Sequence, residues 1–179
     1  MATLFSDRSL LTMAHGVLLG GGALLALAAA LFALRALGTL ASDAPASPRQ
    51  AREVGRLTAL SAIVVWLSVI AGTFVVFPAY RAAPPPGAAD LTAFPRALLL
   101  QNPDTAWLHA VAMEIKEHMP WIAAMLATAV AFVGVRYQGQ LLADRTLRRA
   151  AMALLAVSLA LVAVAALLGT LINKVAPLF

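Results

Sequence analysis

Four long apolar stretches constrain this chain more than any other feature of its sequence. Each can supply the roughly 20 residues that cross a ~30 Å hydrocarbon layer as a helix. None alternates as a barrel strand does, and only helices and closed barrels satisfy backbone polar groups in lipid. The sequence therefore predicts an all-α integral membrane four-helix bundle, a single domain spanning 1–179, with transmembrane helices at about 10–35, 54–77, 115–136 and 150–172.

Composition supports a membrane class and excludes several kinds of site. The chain is 62% hydrophobic and 12% charged, whereas a soluble domain carries about 25% charged residues. It contains no cysteine, which excludes disulfides, iron–sulfur clusters and covalently attached haem. No ionisable residue lies within 57–77, 121–135 or 150–172, so a transporter with a charged relay is disfavoured.

The basic residues are unevenly distributed along the chain. The loops that join helix 1 to helix 2 and helix 3 to helix 4 hold eight basic and three acidic residues; the rest of the chain holds five of each. Positive-inside bias therefore predicts that these two loops are cytoplasmic and that the N-terminus, the C-terminus and the loop between helices 2 and 3 lie outside. The formal charge of +5 is then explained by topology, and no nucleic acid partner is predicted.

The loop between helices 2 and 3 is long, at about 78–105. Ala-Pro-Pro-Pro-Gly at 83–87 is typical of a stiff polyproline spacer. Asn102-Pro103 is typical of a helix cap followed by proline in the first turn. We therefore expect the loop to continue into an outer extension of helix 3, with a kink at Pro120.

The segment 107–121, WLHAVAMEIKEHMPW, concentrates ionisable side chains at the start of an apolar span. Such groups at a membrane boundary favour a functional site. Counting along the helices places His118 near the depth of His15 in helix 1. Glu114 precedes His118 by one turn and is expected to orient it. We expect His109 to lie higher and to face away, and Lys116 and Glu117 to be solvated.

The leading hypothesis for this segment is one haem b between helices 1 and 3. His15 and His118 would be its axial ligands, because haem in a bundle needs imidazoles from facing helices and small residues beside the ring. Gly22 would supply space, Arg81 and Arg96 would pair with the propionates, and Trp121 would pack near the ring edge.

Three alternatives remain open. A copper site would use His15 and His118 together with thioether and imidazole ligands: Met13, Met113, Met119 and His109. Glu114 and Tyr80 are candidates for a quinol or proton site at the same boundary. The chain could also be a cofactor-free accessory or scaffold subunit whose small residues serve helix contacts.

Three features of the chain match a known kind of membrane protein: the four spans, His15 followed by Gly20–Gly22, and His118 at the start of helix 3. In these features the chain resembles small four-helix bacterial membrane cytochromes b and cytochrome-b-like subunits. The resemblance implies a multi-pass protein of the bacterial inner membrane. It implies a subunit of a respiratory or photosynthetic electron-transfer complex, passing electrons between quinol and an external acceptor such as a cytochrome. We expect other membrane subunits and the lipid bilayer as partners. We expect no enzyme activity by the chain alone, and any activity only as a subunit of an oxidoreductase.

Overall fold

The computed structural model describes residues 7–40 and 47–176, which form helices and no strand. Helix α1 runs from Asp7 to Leu40, and its segment Ala14–Gly20 is π-helical. Helix α2 runs from Pro48 to Tyr80, and its segment Gly72–Val76 is π-helical. Helix α3 is Pro95–Gln101. Helix α4 comprises Pro103–Trp107, the π-helical Leu108–Met113 and Glu114–Arg136. Helices α5 and α6 are Gln138–Ala143 and Arg145–Val175. Asp43, counted above among the loop charges, lies outside the described residues.

Four of these helices, α1, α2, α4 and α6, are long and apolar enough to cross a membrane. The predicted all-helical fold with four candidate spans is therefore confirmed. Helix α1 packs against α2 and α6, and α4 packs against the same two helices, so α1 and α4 lie diagonally across the bundle. Successive long helices are antiparallel: Gly22 faces Val64, Trp66 bonds to Thr128, and Ser158 bonds to the carbonyl of Ala123.

Small side chains let the helices approach closely. Ala23, Ala123, Ala124 and Ala127 are fully buried among larger core residues such as Leu27. The closest approach joins α2 to α4, where a Cβ added to Gly55 would lie 2.5 Å from the carbonyl oxygen of Gly134. Close backbone packing through small residues is how helices associate where there is no hydrophobic driving force between them.

The helix ends are set by local capping. The Ser47 side chain accepts from the Gln50 N–H, and Gln50 accepts in return from the Ser47 N–H, which forms a capping box before Pro48. Asn102 accepts from the Asp104 N–H at the start of α4, as the sequence predicts. Asp144 accepts from the N–H groups of Thr146 and Leu147. Helix α6 therefore begins at Arg145 rather than near Ala150 and includes arginines that the sequence analysis assigned to a loop.

Helix α2 extends three residues past the predicted span of 54–77 and includes Pro78. Proline removes one N–H and displaces the carbonyl four residues earlier. The π-helical segment Gly72–Val76 directly precedes Phe77–Tyr80, and its wider turn changes the hydrogen-bond pattern at the residues that Pro78 would disturb. The helix consequently continues to Tyr80, which places this phenol at the end of the bundle.

The segment 81–94 leads from α2 to α3 without regular structure. Within it, the Thr92 backbone N–H and hydroxyl both donate to Asp90 at 2.9 and 2.7 Å. These hydrogen bonds favour the charged carboxylate and lower the pKa of Asp90 below its usual value. Helix α3 is then anchored by Leu99, which is fully buried in a second apolar cluster with Tyr80, Leu108 and Ile172.

We name the two ends of the bundle by their side chains. The histidine end carries the start of α1 and α4 and the end of α2 and α6, with His15, Tyr80, His109 and Lys174. The arginine end is opposite and carries Arg35, Arg52, Arg136 and Arg149. Among the arginines of the second end, Arg148 is only 4% exposed and donates to the carbonyls of Leu141 and Leu142 at 2.7 and 3.2 Å.

Candidate functional site

A phenol, an imidazole and a guanidinium meet at the histidine end. The Tyr80 hydroxyl lies 2.9 Å from Nδ1 of His109, and Nε of Arg96 donates to Nε2 of His109 at 3.2 Å. Each side chain comes from a different helix: Tyr80 ends α2, Arg96 lies in α3, and His109 lies in the π-helical segment of α4. We call these three residues the Tyr80–His109 cluster.

The hydrogen bonds fix the protonation of the imidazole. A guanidinium can only donate, so Nε2 of His109 must accept with its lone pair. The proton of the neutral ring is then on Nδ1, which donates to the Tyr80 oxygen. The Tyr80 O–H is left to donate elsewhere. Adding a second proton to His109 would remove the lone pair that Arg96 binds and would place two cations in contact.

Further charges surround this cluster. The carboxylates of Glu114 and Glu117 and the guanidinium of Arg81 act electrostatically on His109. Arg81 is exposed, and its guanidinium lies 5.4 Å from the centroid of the Phe77 ring, a cation–π distance. The cluster is therefore a polar assembly at the edge of an apolar bundle, with groups that can accept and donate protons.

A second group of polar side chains lies deeper in the bundle, and all four long helices contribute a residue to its surroundings. A Cβ on Gly72 of α2 would lie 2.9 Å from Cε1 of His15, and a Cβ on Gly169 of α6 would lie 3.0 Å from Nζ of Lys116. Each glycine thus leaves room for one polar side chain from a neighbouring helix. The ammonium of Lys116 also acts electrostatically on His15. We call His15, Gly72, Lys116 and Gly169 the His15–Lys116 layer.

The structure does not bring His15 and His118 together. The His15 ring lies beside Gly72 of α2, and Lys116 is turned towards Gly169 of α6. His118, two residues after Lys116, points about 200° away from it around the helix. His118 is exposed, and its Nδ1 lies 2.8 Å from the backbone carbonyl oxygen of Glu114, not from its carboxylate. These positions do not fit a haem held between this pair of histidines.

The other residues that the sequence predicts for the haem or quinol site lie in different environments. Gly22 packs against Val64 of α2, at 3.6 Å from the position of a Cβ. Tyr80 is 3% exposed and belongs to the cluster described above, while Glu114 is exposed. Arg96 donates to His109 rather than standing free for a propionate.

The candidate copper ligands are likewise dispersed. Met13 is 47% exposed, Met113 is buried in the second apolar cluster, and Met119 is half-buried. Both ring nitrogens of His109 are engaged. Among the side chains that the structure describes, no three of the His, Asp and Glu types group as a metal site.

Two residues of segment 107–121 have neighbours that the sequence did not predict. His109 was expected to lie higher than His118, on the opposite face of the helix and away from the site; it contacts Tyr80 and Arg96 of the short helix α3. Lys116 was expected to be solvated, but α6 extends to Val175 and its Gly169 packs beside the ammonium. One signal in the sequence does identify Lys116: it precedes Ala123 by seven residues and so continues the buried stripe that includes Ala127 and Val130.

Comparison of the chain with known protein families, with characterised proteins and with solved structures finds no match.

Proposed function

We propose that this chain is a membrane subunit of a respiratory or photosynthetic electron-transfer complex, which acts on quinol at the histidine end. The observation that carries the proposal is the Tyr80–His109 cluster. Quinol oxidation releases two protons together with two electrons, so the site needs a neutral base at the edge of the membrane. The bonded imidazole of His109, with the adjacent phenol, supplies that chemistry.

In this proposal, quinol displaces Arg96 from Nε2 of His109, and the freed lone pair takes one proton from quinol. Arg96 does not rebind the protonated ring, since the imidazolium has no lone pair at Nε2 and carries the same charge. Glu114 and Glu117, which act electrostatically on His109, favour the charged ring and receive this proton, after which the neutral ring takes the second one by the same route. The two electrons pass one at a time to a one-electron redox centre, a haem or an iron–sulfur cluster, in a partner subunit and on to an external acceptor.

The proposal includes an orientation in the membrane. The arginine end carries the excess of basic residues, which favours its placement in the cytoplasm of a bacterial cell. The histidine end, the termini and the segment 78–105 then face outwards from the inner membrane. Protons released at the Tyr80–His109 cluster would therefore leave on the outer side.

The test is quinol-dependent reduction of the complex that copurifies with this chain in mild detergent. We expect His109→Gln to slow reduction by about a hundredfold or more, the usual loss on removing a general base. His118→Gln is the matched control, because it makes the same change on the same helix at an exposed position. The rate should be unchanged in that variant.

The same preparations test the alternatives. A reduced-minus-oxidised haem band that is present in the wild type and lost in His118→Gln would restore the haem ligand role of His118. Stoichiometric copper by elemental analysis would favour the copper site. A complex in which quinol reduces no centre, or in which His109→Gln retains the wild-type rate, would contradict the proposal and leave a scaffold role.

A further inference from the structure

The His15–Lys116 layer contains polar atoms with no partner in the protein. Nδ1 of His15 is buried and makes no hydrogen bond. Within the part of the chain that the structure describes, Lys116 makes no hydrogen bond or ion pair. A buried polar group without a partner destabilises a protein, and such groups in native structures call for an explanation. A bound ligand that accepts hydrogen bonds from these side chains would explain why they have no partner in the protein.

The backbone around this layer is also irregular. The π-helical segments Ala14–Gly20, Gly72–Val76 and Leu108–Met113 lie at or directly beside it, one on each of three long helices. Such segments often occur at functional sites. Pro120 has no N–H for the carbonyl of Lys116, one turn earlier. Irregular backbone at membrane depth is tolerated where it surrounds a cavity or another polar region.

The layer is not sealed inside the bundle, because His15 and Lys116 are themselves only half-buried. The neighbouring residues of α1 lie at the bundle surface: Val17 and Leu18 are 68% and 71% exposed, and a Cβ built on Gly16 would have no atom within 4 Å. A ligand that enters here must be soluble in the bilayer and must carry an acceptor for the hydrogens of Lys116, which has no lone pair to offer.

We propose that the His15–Lys116 layer binds a carbonyl oxygen of a quinone headgroup, with the Lys116 ammonium and the His15 ring as its hydrogen-bond donors. The inference rests on the proposed function and names where its substrate is held. Lys116 follows His109 by seven residues, so this layer lies about 10 Å deeper than the Tyr80–His109 cluster. The headgroup then binds between this layer and the Tyr80–His109 cluster, with its second oxygen directed towards the cluster, which takes its protons and passes them towards the surface.

The experiment is a binding titration of the purified protein with a short-chain ubiquinone, which quenches the fluorescence of Trp66 and Trp121. Lys116→Met keeps the length of the side chain and removes the charged donors. We expect its dissociation constant to rise about tenfold or more, the usual loss for a hydrogen bond to a charged group. Lys174→Met, at an exposed position of the same end, is the control and should bind as the wild type does.

A second variant keeps the charge and tests the geometry. Gly169→Ala places a methyl group 3.0 Å from Nζ of Lys116 and should also weaken binding. With a carbonyl-labelled quinone, the infrared carbonyl stretch should be lowered in the wild type and should return towards the free value in Lys116→Met. A melting temperature no lower than that of the wild type in both variants excludes misfolding as the cause.

The outcomes separate this inference from the proposed function. If Lys116→Met binds quinone with the wild-type constant and the wild-type carbonyl frequency, this layer is not the binding site. The proposed function survives that result if His109→Gln still slows quinol-dependent reduction. If the wild type binds no quinone and its complex is not reduced by quinol, both proposals fail.

Discussion

Gly55→Ala will lower the free energy of unfolding by about 3 kcal/mol, the upper part of the usual range for overpacking. The added Cβ would lie 2.5 Å from the carbonyl oxygen and 3.2 Å from the carbonyl carbon of Gly134. Both are backbone atoms in the middle of α4 and cannot move away by changing a rotamer. The helices α2 and α4 must therefore separate, which also loosens the packing around Thr58. Titration with sodium dodecyl sulfate, followed by tryptophan fluorescence, measures the loss.

The control for this prediction is another glycine-to-alanine change in a long helix. Gly21 lies in α1, and a Cβ there would meet no atom within 4 Å. Alanine is favoured over glycine in a helix by about 1 kcal/mol, so Gly21→Ala should leave the stability unchanged or raise it. Equal losses in both variants would show that α2 and α4 do not cross at Gly55.

Arg148→Met will destabilise the protein by about 2 to 3 kcal/mol, the loss expected for hydrogen bonds to a charged group. The guanidinium donates to the carbonyls of Leu141 and Leu142, which close the turn between α5 and α6. It also packs against Gly38, with Nε 3.4 Å from the position of a Cβ there. Methionine retains much of the apolar contact but leaves both carbonyls without this donor.

Arg149→Met is the matched control, because Arg149 is the next residue and is exposed. Its loss should be within the few tenths of a kcal/mol that are usual for surface changes. Thermal unfolding in detergent, monitored by tryptophan fluorescence, compares the two. A loss at Arg149 as large as that at Arg148 would contradict the structural role assigned to the buried guanidinium.

The sequence predicts the four long helices because their signal is local. Apolar length alone identifies each span, and Asn102-Pro103 marks the start of α4 at the observed residue. The helix ends are less predictable. Asp144 caps α6 before a run of arginines that resembles a loop in composition. At Pro78, the preceding π-helical segment allows α2 to continue, and periodicity does not reveal such a segment.

The polar sites are less predictable because their partners are distant in sequence. Tyr80 and His109 are joined across 29 residues, and Arg96 reaches His109 from a short helix between them. Counting 100° per residue along one helix finds neither contact. The Lys116 side chain was predicted to be solvated because its sequence neighbours are charged. The glycine that accommodates it, Gly169, lies in α6. The pairing of His15 with His118 was based on depth alone, and the rotation about the helix axis separates them.

Photoaffinity labelling of the protein in its native membrane with an azido-quinone tests whether quinone binds at the histidine end of this bundle. We expect label in the segments around His15, Gly72 and Lys116, lost when unlabelled quinone competes. Label that is spread over lipid-facing residues of the arginine half, such as Phe32 and Phe132, and is unaffected by competition would show that quinone does not bind there.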